Sequence, residues 1–253
     1  MKISVITVTY NSENTLEKTI LSVAGQTYKN IEHLIIDGAS TDKTLEIVDK
    51  YRHNITKIIS EPDKGIYDAM NKGIAQATGD YLIFLNSDDE LYDSTVLEKF
   101  AAVCQKHGTD LVWGDLCYKN IETGATSVQK HDKFNKIYLI KNTPAQPSTF
   151  YRREIFEQVG LFSVDFRIVS DQEWFLRAFL KNKPSWTYLG YPVNTFSTGG
   201  VSTSAAHEGK HAAERREMFG MYFGGGEFKF YSFVAKYLRS VSLLPVVKLF
   251  FQV

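Results

Sequence analysis

The residues with the clearest chemical potential lie in an acidic run at 86–89 (Asn-Ser-Asp-Asp), directly after the apolar segment 81–85. The apolar segment is typical of a buried strand, and open α/β sheets bind ligands at the C-terminal ends of their strands. Asp88 and Asp89 are adjacent carboxylates, which repel each other unless a cation or a set of donors compensates them. Their oxygen atoms suit Mg²⁺ or Mn²⁺. The alternative is a solvated turn that also caps a helix beginning near Ser94.

Two further acids follow other predicted strands. Asp37 ends the predicted strand 31–37, and Asp63 lies just beyond the predicted strand 55–60. In a parallel sheet the C-terminal strand ends open on one edge, so these acids would converge with Asp88 and Asp89. Each acid alone is typical of a turn. Together they predict a site for a polyanion that needs a cation, such as a nucleotide diphosphate.

Another candidate, Asp171, lies with Glu173 in the first turn of a predicted helix. Acids are favoured there by the helix macrodipole, so capping is one interpretation of both residues. The functional alternative requires one of them to face the sheet edge described above. A carboxylate in that position could deprotonate an acceptor hydroxyl as a general base.

The elements that would position these residues alternate between strands and helices. Strands are predicted over residues 3–10, 31–37, 55–60, 81–85 and 111–118. Helices with one apolar face lie between them, among them 66–77 and 94–107. This alternation predicts an α/β fold with a mainly parallel sheet and helices on both faces.

The composition is that of a globular protein without net charge. The 253 residues are 43% hydrophobic, and 29 basic residues balance 29 acidic ones. This length predicts one large domain, or one domain with an appendage. The charge balance does not indicate a nucleic-acid surface, so we expect no nucleic-acid partner. Cys104 and Cys117 are too few for a disulfide framework or a thiolate zinc site, which indicates a reducing compartment.

The C-terminal part of the chain differs in character. Residues 228–253 contain no acid, and four basic residues are interleaved with aromatic and aliphatic ones. These bases and Pro245 interrupt any apolar span long enough to cross a bilayer. Such a segment suits the surface of an anionic membrane; the alternative is a terminal helix docked on the core or on another subunit. Upstream, His207 and His211 could share a helical face, as metal ligands or as solvent-facing side chains.

Several short motifs occur in an order that is typical of one family. They lie at 4–11, 37–42, 63–65, 71–73, 79–80 and 86–89 and, more loosely, at 146–149, 160–162 and 170–173. In combination they strongly resemble glycosyltransferase family 2, which has the GT-A fold and consists of inverting, metal-dependent sugar transferases. The resemblance implies a catalytic domain over 1–205, with a nucleotide-sugar half (1–115) and an acceptor half (116–205). Residues 206–253 would form a helical, basic and aromatic extension.

The resemblance also implies roles for individual residues. The residues expected to border the nucleotide-sugar donor are Thr9, Tyr10, Asn11, Glu13, Asp37, Asp63, Lys72 and Asp88. Asp89 is expected to bind Mn²⁺ or Mg²⁺, with Asp88 beside it as a second ligand or a contact to the ribose or sugar. Asp171 matches the catalytic base. Asn86 stands where many members have a first Asp, and Ser170 stands where Glu is frequent.

The implied function is transfer of a sugar, with inversion, from a nucleoside diphosphate donor to a hydroxyl of a glycan or lipid-linked glycan. UDP is the favoured nucleotide, and surface polysaccharide synthesis is the expected process. The expected location is the cytoplasm, with peripheral association at the inner face of the membrane, and an oligomer is compatible with the sequence. Two alternatives stay open. One is a sugar-phosphate nucleotidyltransferase, although no glycine-rich basic loop follows the first strand; the other is a catalytically silent nucleotide- or glycan-binding module.

Overall fold

The computed structural model describes residues 1–120, 123–132, 139, 143–198 and 206–223. Within these ranges, the strands are β1 (Ile3–Thr9), β2 (Ile31–Asp37), β3 (Lys57–Ser60), β4 (Tyr81–Phe84), β5 (Asp89–Leu91), β6 (Leu111–Asn120), β7 (Thr126–Gln129), β8 (Thr149–Arg152) and β9 (Trp186–Thr198). The α-helices are α1 (Leu16–Ala24), α2 (Thr44–Lys50), α3 (Ile66–Gln76), α4 (Val96–His107), α5 (Ile155–Val159), α6 (Ser170–Arg177) and α7 (Ala206–Tyr222). Short 3₁₀ segments span Arg52–Asn54 and Gln146–Ser148, and a π-helical turn, Ala178–Asn182, continues α6.

The described strands form one sheet with the order β3-β2-β1-β4-β8-β6-β9-β5, and β7 pairs with β6 outside this path. The first four strands in this order are parallel, with Ile3 opposite both Ile31 and Tyr81. Strand β8 is antiparallel to its neighbours β4 and β6, whereas β9 is parallel to β6. The predicted α/β class is confirmed. The parallel arrangement belongs mainly to the N-terminal half, and the second half of the sheet is mixed.

Helices cover both faces of the sheet because the central strands are buried on both sides. All seven residues of β1 are buried, and two of its polar side chains, Ser4 and Thr7, find partners inside the protein. Ser4 Oγ lies 2.5 Å from Glu32 Oε1, and Thr7 Oγ1 lies 3.0 Å from His33 Nε2. Satisfied polar groups of this kind allow a strand with alternating hydroxyls to occupy the core. The central strand β1 is therefore buried along its whole length, as expected in a parallel sheet that is covered on both faces.

An aromatic cluster on one face of the sheet holds the helix α6 that carries Asp171. The ring of Phe84, at the end of β4, lies 5.5 Å from that of Phe162 and 5.7 Å from that of Tyr151. Trp174, on α6, packs against Tyr151 at 5.3 Å and donates a hydrogen bond from Nε1 to Gly160 O at 2.8 Å. Buried aromatic packing with a satisfied indole nitrogen restrains the position of a helix strongly.

The strands β5, β7 and β9 were not among the predicted elements, whereas β8 overlaps 146–151, a stretch whose sequence after Pro144 predicts an extended chain. The turn considered as an alternative for 86–89 is limited to Ser87 and Asp88, and β5, a strand of only three residues, begins at Asp89. It forms because β9 supplies antiparallel partners, placing Asp89 opposite Phe196 and Leu91 opposite Asn194. Strand β9 contains Gly190 and Pro192, which weaken its sequence signal, and its pairing with β6 is irregular around Asp115. A local pattern cannot reveal a strand whose stability depends on a distant partner.

The helix α7 packs on the core, whereas the basic and aromatic segment 228–253 lies outside the described residues. Met218 is fully buried, and Glu214 Oε2 accepts a hydrogen bond from Ile168 N at 2.8 Å. The first part of the expected extension is therefore fastened to the backbone just before α6. Across the described ranges, no helix is both long and apolar enough to cross a membrane. The roles predicted for 228–253 stay predictions.

We expect Gly79→Ala to lower the free energy of unfolding by about 1–3 kcal/mol, because added atoms overpack this site. A Cβ at Gly79 would lie 2.4 Å from Ser4 Oγ and 2.7 Å from the Ser4 backbone nitrogen. Urea denaturation measures the change. The matched control is Gly209→Ala on α7, where a Cβ meets no described atom within 4 Å and alanine favours the helix. Equal stability of the two variants would contradict this account of Gly79.

Candidate active site

The C-terminal ends of β1 and β2 form the first part of the site. The parallel register places Thr9 opposite Asp37, and Gly38 N donates to Thr9 O at 2.9 Å. The Asp37 carboxylate is buried and accepts hydrogen bonds from Ser40 Oγ at 2.5 Å and from Ser60 Oγ at 2.6 Å. Asp37 thus shapes the loop that follows β2. Its expected contact with the nucleotide-sugar donor, which the family resemblance implies for the nucleotide base, stays a prediction, since these hydroxyls already engage both carboxylate oxygens.

The loop after β1 is tied to the loop after β2. Asn11 adopts a left-handed backbone conformation with φ of 49°, and its Oδ1 accepts a hydrogen bond from Thr41 N at 2.9 Å. Glu13 Oε2 accepts a hydrogen bond from Lys43 N at 3.0 Å, near the start of α2. Tyr10 is 62% exposed. The Tyr10 side chain is therefore open to a ligand, while Asn11 and Glu13, although also exposed, fasten the loop.

The loop after β3 places Asp63 beside the same edge. A Cβ at Gly38 would lie 2.5 Å from Asp63 Oδ2 and 3.3 Å from the Tyr10 ring, so these three residues are neighbours. Lys72, on α3, donates from Nζ to Pro62 O at 2.7 Å and pairs with Glu61 at 2.9 Å. Lys72 therefore secures the loop that carries Asp63. The predicted convergence of Asp37 and Asp63 at one edge is consistent with these contacts.

Asp88 and Asp89 differ sharply in their surroundings. Asp88 is half-buried, whereas Asp89 is fully buried at the start of β5. Burial, followed by the charge of Asp88, raises the pKa of Asp89 to about 8, and burial also raises the pKa of Asp88. The amides of Asn194 and Asn86 lie close enough to oppose the rise at Asp89. Even so, no donor in the described part of the chain meets full hydrogen-bond geometry with either Asp89 oxygen.

These residues fit a divalent cation that also binds a nucleotide diphosphate. Asn86 Oδ1 and both oxygens of Asp89 are buried without a hydrogen-bond partner in the described part of the chain, as is the amide of Asn194. A buried carboxylate without a partner is costly, and Mg²⁺ and Mn²⁺ prefer such oxygen ligands. No group of three His, Cys, Asp or Glu side chains gathers within the described ranges. One or two carboxylates are nevertheless the usual protein share where substrate phosphates complete the coordination.

Asp171 lies in the first turn of α6, beside the N-terminal end of α3. Its Oδ1 lies 3.1 Å from the hydroxyl of Tyr67 and accepts a hydrogen bond from Gln172 N at 2.8 Å. Burial raises the pKa of Asp171, and the nearby charge of His211 acts in the opposite direction. Because α3 follows the loop that carries Asp63, Tyr67 connects Asp171 to the strand-end loops.

Glu173, the other acid in this turn, has a structural role. Its carboxylate pairs with Arg177 at 3.0 Å and accepts a hydrogen bond from the Tyr222 hydroxyl. Only 5% of its side chain is exposed. The ion pair and the tyrosine hydrogen bond therefore account for Glu173, while Asp171 is the acid that lines a cavity.

Asp171 opens on a cavity of about 320 Å³ between the sheet and α7. The polar and charged side chains of its wall are Tyr118, Gln129, His131, Thr143, Asp171, Gln172, His211 and Arg215. Most of them were not predicted as site residues, because they come from four separate parts of the chain. The spacing of His207 and His211 was the one local signal, and it pointed to a shared helical face without indicating what that face contacts.

Comparison with known proteins identifies the family. The profile described as Glycosyl transferase family 2 matches residues 4–170. A PGL/p-HBAD biosynthesis glycosyltransferase of Mycobacterium bovis (strain BCG / Pasteur 1173P2) is 32% identical over 206 residues, covering 79% of this chain and 79% of the relative. Glycosyltransferase AglE of Haloferax volcanii is 29% identical over 186 residues, covering 70% of this chain and 60% of AglE.

Solved structures share the fold. S. aureus TarS 1-349 in complex with UDP-GlcNAc has a TM-score of 0.66 at 23% identity, covering 81% of this chain and 61% of that one. The chain thus spans about three fifths of that structure. Mannosyltransferase PcManGT from Pyrobaculum calidifontis, in complex with GDP-Man and Mn²⁺, has a TM-score of 0.60 at 18% identity, covering 95% and 70%. The predicted GT-A fold is confirmed, and the chain belongs to glycosyltransferase family 2.

Proposed function

We propose that this glycosyltransferase moves a sugar, with inversion, from a nucleoside diphosphate donor to a hydroxyl of a glycan or lipid-linked glycan. The observation that carries the proposal is the arrangement of Asp171 relative to the acidic strand ends. Tyr67 joins Asp171 to the start of α3, and α3 begins directly after the loop at the end of β3. A base and a polyanion site at one sheet edge are what a single displacement between donor and acceptor requires.

The donor would occupy the strand-end loops. Exposed Tyr10 and half-buried Asp63 flank Gly38, where the absence of a side chain leaves room for close approach. Thr9, Asn11 and Asp37 shape the surrounding backbone, and Glu13 and Lys72 hold the two outer loops. UDP is our favoured nucleotide, in keeping with the UDP-GlcNAc and UDP complexes of TarS, while PcManGT is described with GDP-Man.

A divalent ion, Mn²⁺ or Mg²⁺, would be held by Asp88 and Asp89. When bound, such an ion neutralises the charge that develops on the departing diphosphate. The half-exposed carboxylate of Asp88 is the one a nucleotide can reach, which supports Asp88 as the direct contact. The buried Asp89 carboxylate would hold the ion from the protein side. The amide oxygens of Asn86 and Asn194 would assist it, since they are buried without a partner among the described residues.

Asp171 would act as the general base. Its carboxylate accepts the proton of the acceptor hydroxyl while that oxygen attacks the anomeric carbon and the bond from that carbon to the diphosphate oxygen breaks. Tyr67 and the backbone of Gln172 orient the carboxylate. Burial raises the pKa of Asp171, which makes it a stronger base than an exposed aspartate.

We propose a peripheral location at the cytoplasmic face of a membrane, in surface polysaccharide synthesis. This part of the proposal rests on the basic and aromatic composition of residues 228–253 and on the family. An anionic lipid surface would attract such a segment.

Donor hydrolysis tests the proposed activity. We expect the purified protein to release UDP or GDP from one member of a panel of sugar nucleotides, and to do so only with Mn²⁺ or Mg²⁺ present. Release is measured with a coupled nucleotide assay, and chelation provides the control. A nucleotidyltransferase would instead release pyrophosphate when given a nucleoside triphosphate and a sugar phosphate. Nucleotide binding without release from any panel member would favour the silent binding module.

A further inference from the structure

The cavity beside Asp171 has an unusual distribution of charge. Arg215 and His211, one turn apart on α7, contribute cationic or hydrogen-bonding side chains to its wall, and His131 does so from the segment after β7. Among the described lining residues, Asp171 is the one carboxylate. The part of the wall that carries these three side chains is therefore suited to an anion rather than to a neutral sugar alone.

The acid next to Arg215 on α7 does not share this wall. Glu214 is buried and accepts hydrogen bonds from Ile168 N at 2.8 Å and Val169 N at 3.4 Å, so its carboxylate serves the backbone before α6. Arg215 is half-buried, and burial lowers its pKa without removing its charge. Arg216, the next residue, is exposed and is absent from the cavity lining. The helix thus directs one specific arginine at the cavity.

The neutral part of the wall is ordered by a hydrogen bond between two of its side chains. The hydroxyl of Tyr118 lies 2.9 Å from Gln129 Oε1, which fixes both side chains on the β6–β7 hairpin beside the cavity. An arginine beside such hydrogen-bonding groups suits phosphate, since a guanidinium pairs with two phosphate oxygens at once. A volume of about 320 Å³ is within the usual range of small-molecule sites.

We propose that the acceptor carries a phosphate group that Arg215 and His211 contact while its nucleophilic hydroxyl faces Asp171. This inference rests on the proposed function, because it assigns the cavity to the acceptor of the sugar transfer. The phosphate would fix the orientation of the acceptor, since a charge held at one end of the cavity limits which hydroxyl reaches the base.

The test measures inorganic phosphate binding to the full-length protein with Mg²⁺ and UDP already bound, so that the nucleotide occupies the donor side. Calorimetry is expected to show saturable binding that weakens at least tenfold in Arg215→Gln and is unchanged in Arg216→Gln. Thermal unfolding of both variants checks that they fold. If the unsubstituted protein binds phosphate no more tightly than Arg215→Gln, the proposal is wrong. A second variant, His211→Gln, should also weaken binding.

Two phosphate probes distinguish the source of the group. Octyl phosphate, used below its micelle concentration, mimics a lipid-linked acceptor, and glucose 6-phosphate mimics a water-soluble one. Tighter Arg215-dependent binding of octyl phosphate supports a phosphate on a lipid, and tighter binding of glucose 6-phosphate supports a soluble sugar phosphate. Binding of neither overturns the inference. Metal-dependent UDP release, measured in parallel, remains if only the acceptor assignment fails and is absent if the proposed function itself fails.

Discussion

Asp171→Asn is expected to lower kcat by about 10² to 10⁴, the usual contribution of a positioned general base, while nucleotide binding is retained. Asparagine has nearly the same shape as aspartate but cannot accept the proton of the acceptor hydroxyl. It can still accept the hydrogen bond from Gln172 N and remain beside Tyr67, so the turn should keep its structure. Steady-state transfer kinetics and calorimetric UDP titration together measure the two effects.

Glu173→Gln is the matched control, because Glu173 lies in the same turn but faces Arg177 and Tyr222. We expect it to reduce stability through the lost ion pair and to leave kcat of the folded protein within a few-fold of normal. A kcat of Asp171→Asn within threefold of normal would show that another group takes the proton.

The pH dependence of the transfer rate provides an independent check on Asp171. The base acts in its deprotonated form. We therefore expect kcat to have its full value above the pKa of Asp171 and to fall as the pH decreases through that pKa. Because burial raises this pKa above the ordinary value of 3.8, the loss should begin at a higher pH than an exposed aspartate would give. The residual activity of Asp171→Asn should not show this decrease on the acidic side of the pH profile. A decrease that is unchanged in the variant would assign the titration to another group.

Asp88→Asn is expected to weaken metal-dependent UDP binding by at least about 10- to 100-fold, the cost seen when even an outer partner of a metal site is lost. Calorimetric titration of UDP with and without Mn²⁺ measures the difference, and binding without metal should change little. Unchanged affinity in the presence of Mn²⁺ would refute Asp88 as a metal ligand.

The Asp89→Asn variant tests whether Asp89 is a metal ligand or a buried acid with another role. The buried Asp89 carboxylate has no hydrogen-bond partner within the described residues, so its removal should leave the metal-free protein as stable or more stable. If Asp89 assists the metal, Mn²⁺ should stabilise this variant less than the unsubstituted protein in thermal unfolding with UDP. Glu90→Gln is the control, because alternate residues of β5 point to opposite faces. Equal Mn²⁺ stabilisation of all three proteins would remove Asp89 from the metal site.

The amino-acid sequence alone determined the class of fold and the acids at the strand ends. The boundaries of β1, β2 and α3 agree with the prediction to within one residue. These elements follow from local causes: apolar runs long enough for buried strands, amphipathic helices, and turn-forming Gly and Asp residues between them. Because parallel strands open on one edge, the order of strands and helices also predicted that Asp37, Asp63 and the Asp88–Asp89 pair would approach one another.

Only the tertiary structure decided how those acids differ and what surrounds the base. Asp88 and Asp89 are adjacent in the sequence but differ in solvent exposure. Asp89 is buried because β9 pairs with β5 and covers it, whereas Asp88 is half-buried. The contacts of Lys72 with Pro62 and Glu61, and of Glu173 with Tyr222, likewise come from folding. The cavity at Asp171 joins β6, β7, α6 and α7. Burial and long-range partners depend on contacts between segments distant in the chain, and no local pattern of residues encodes them.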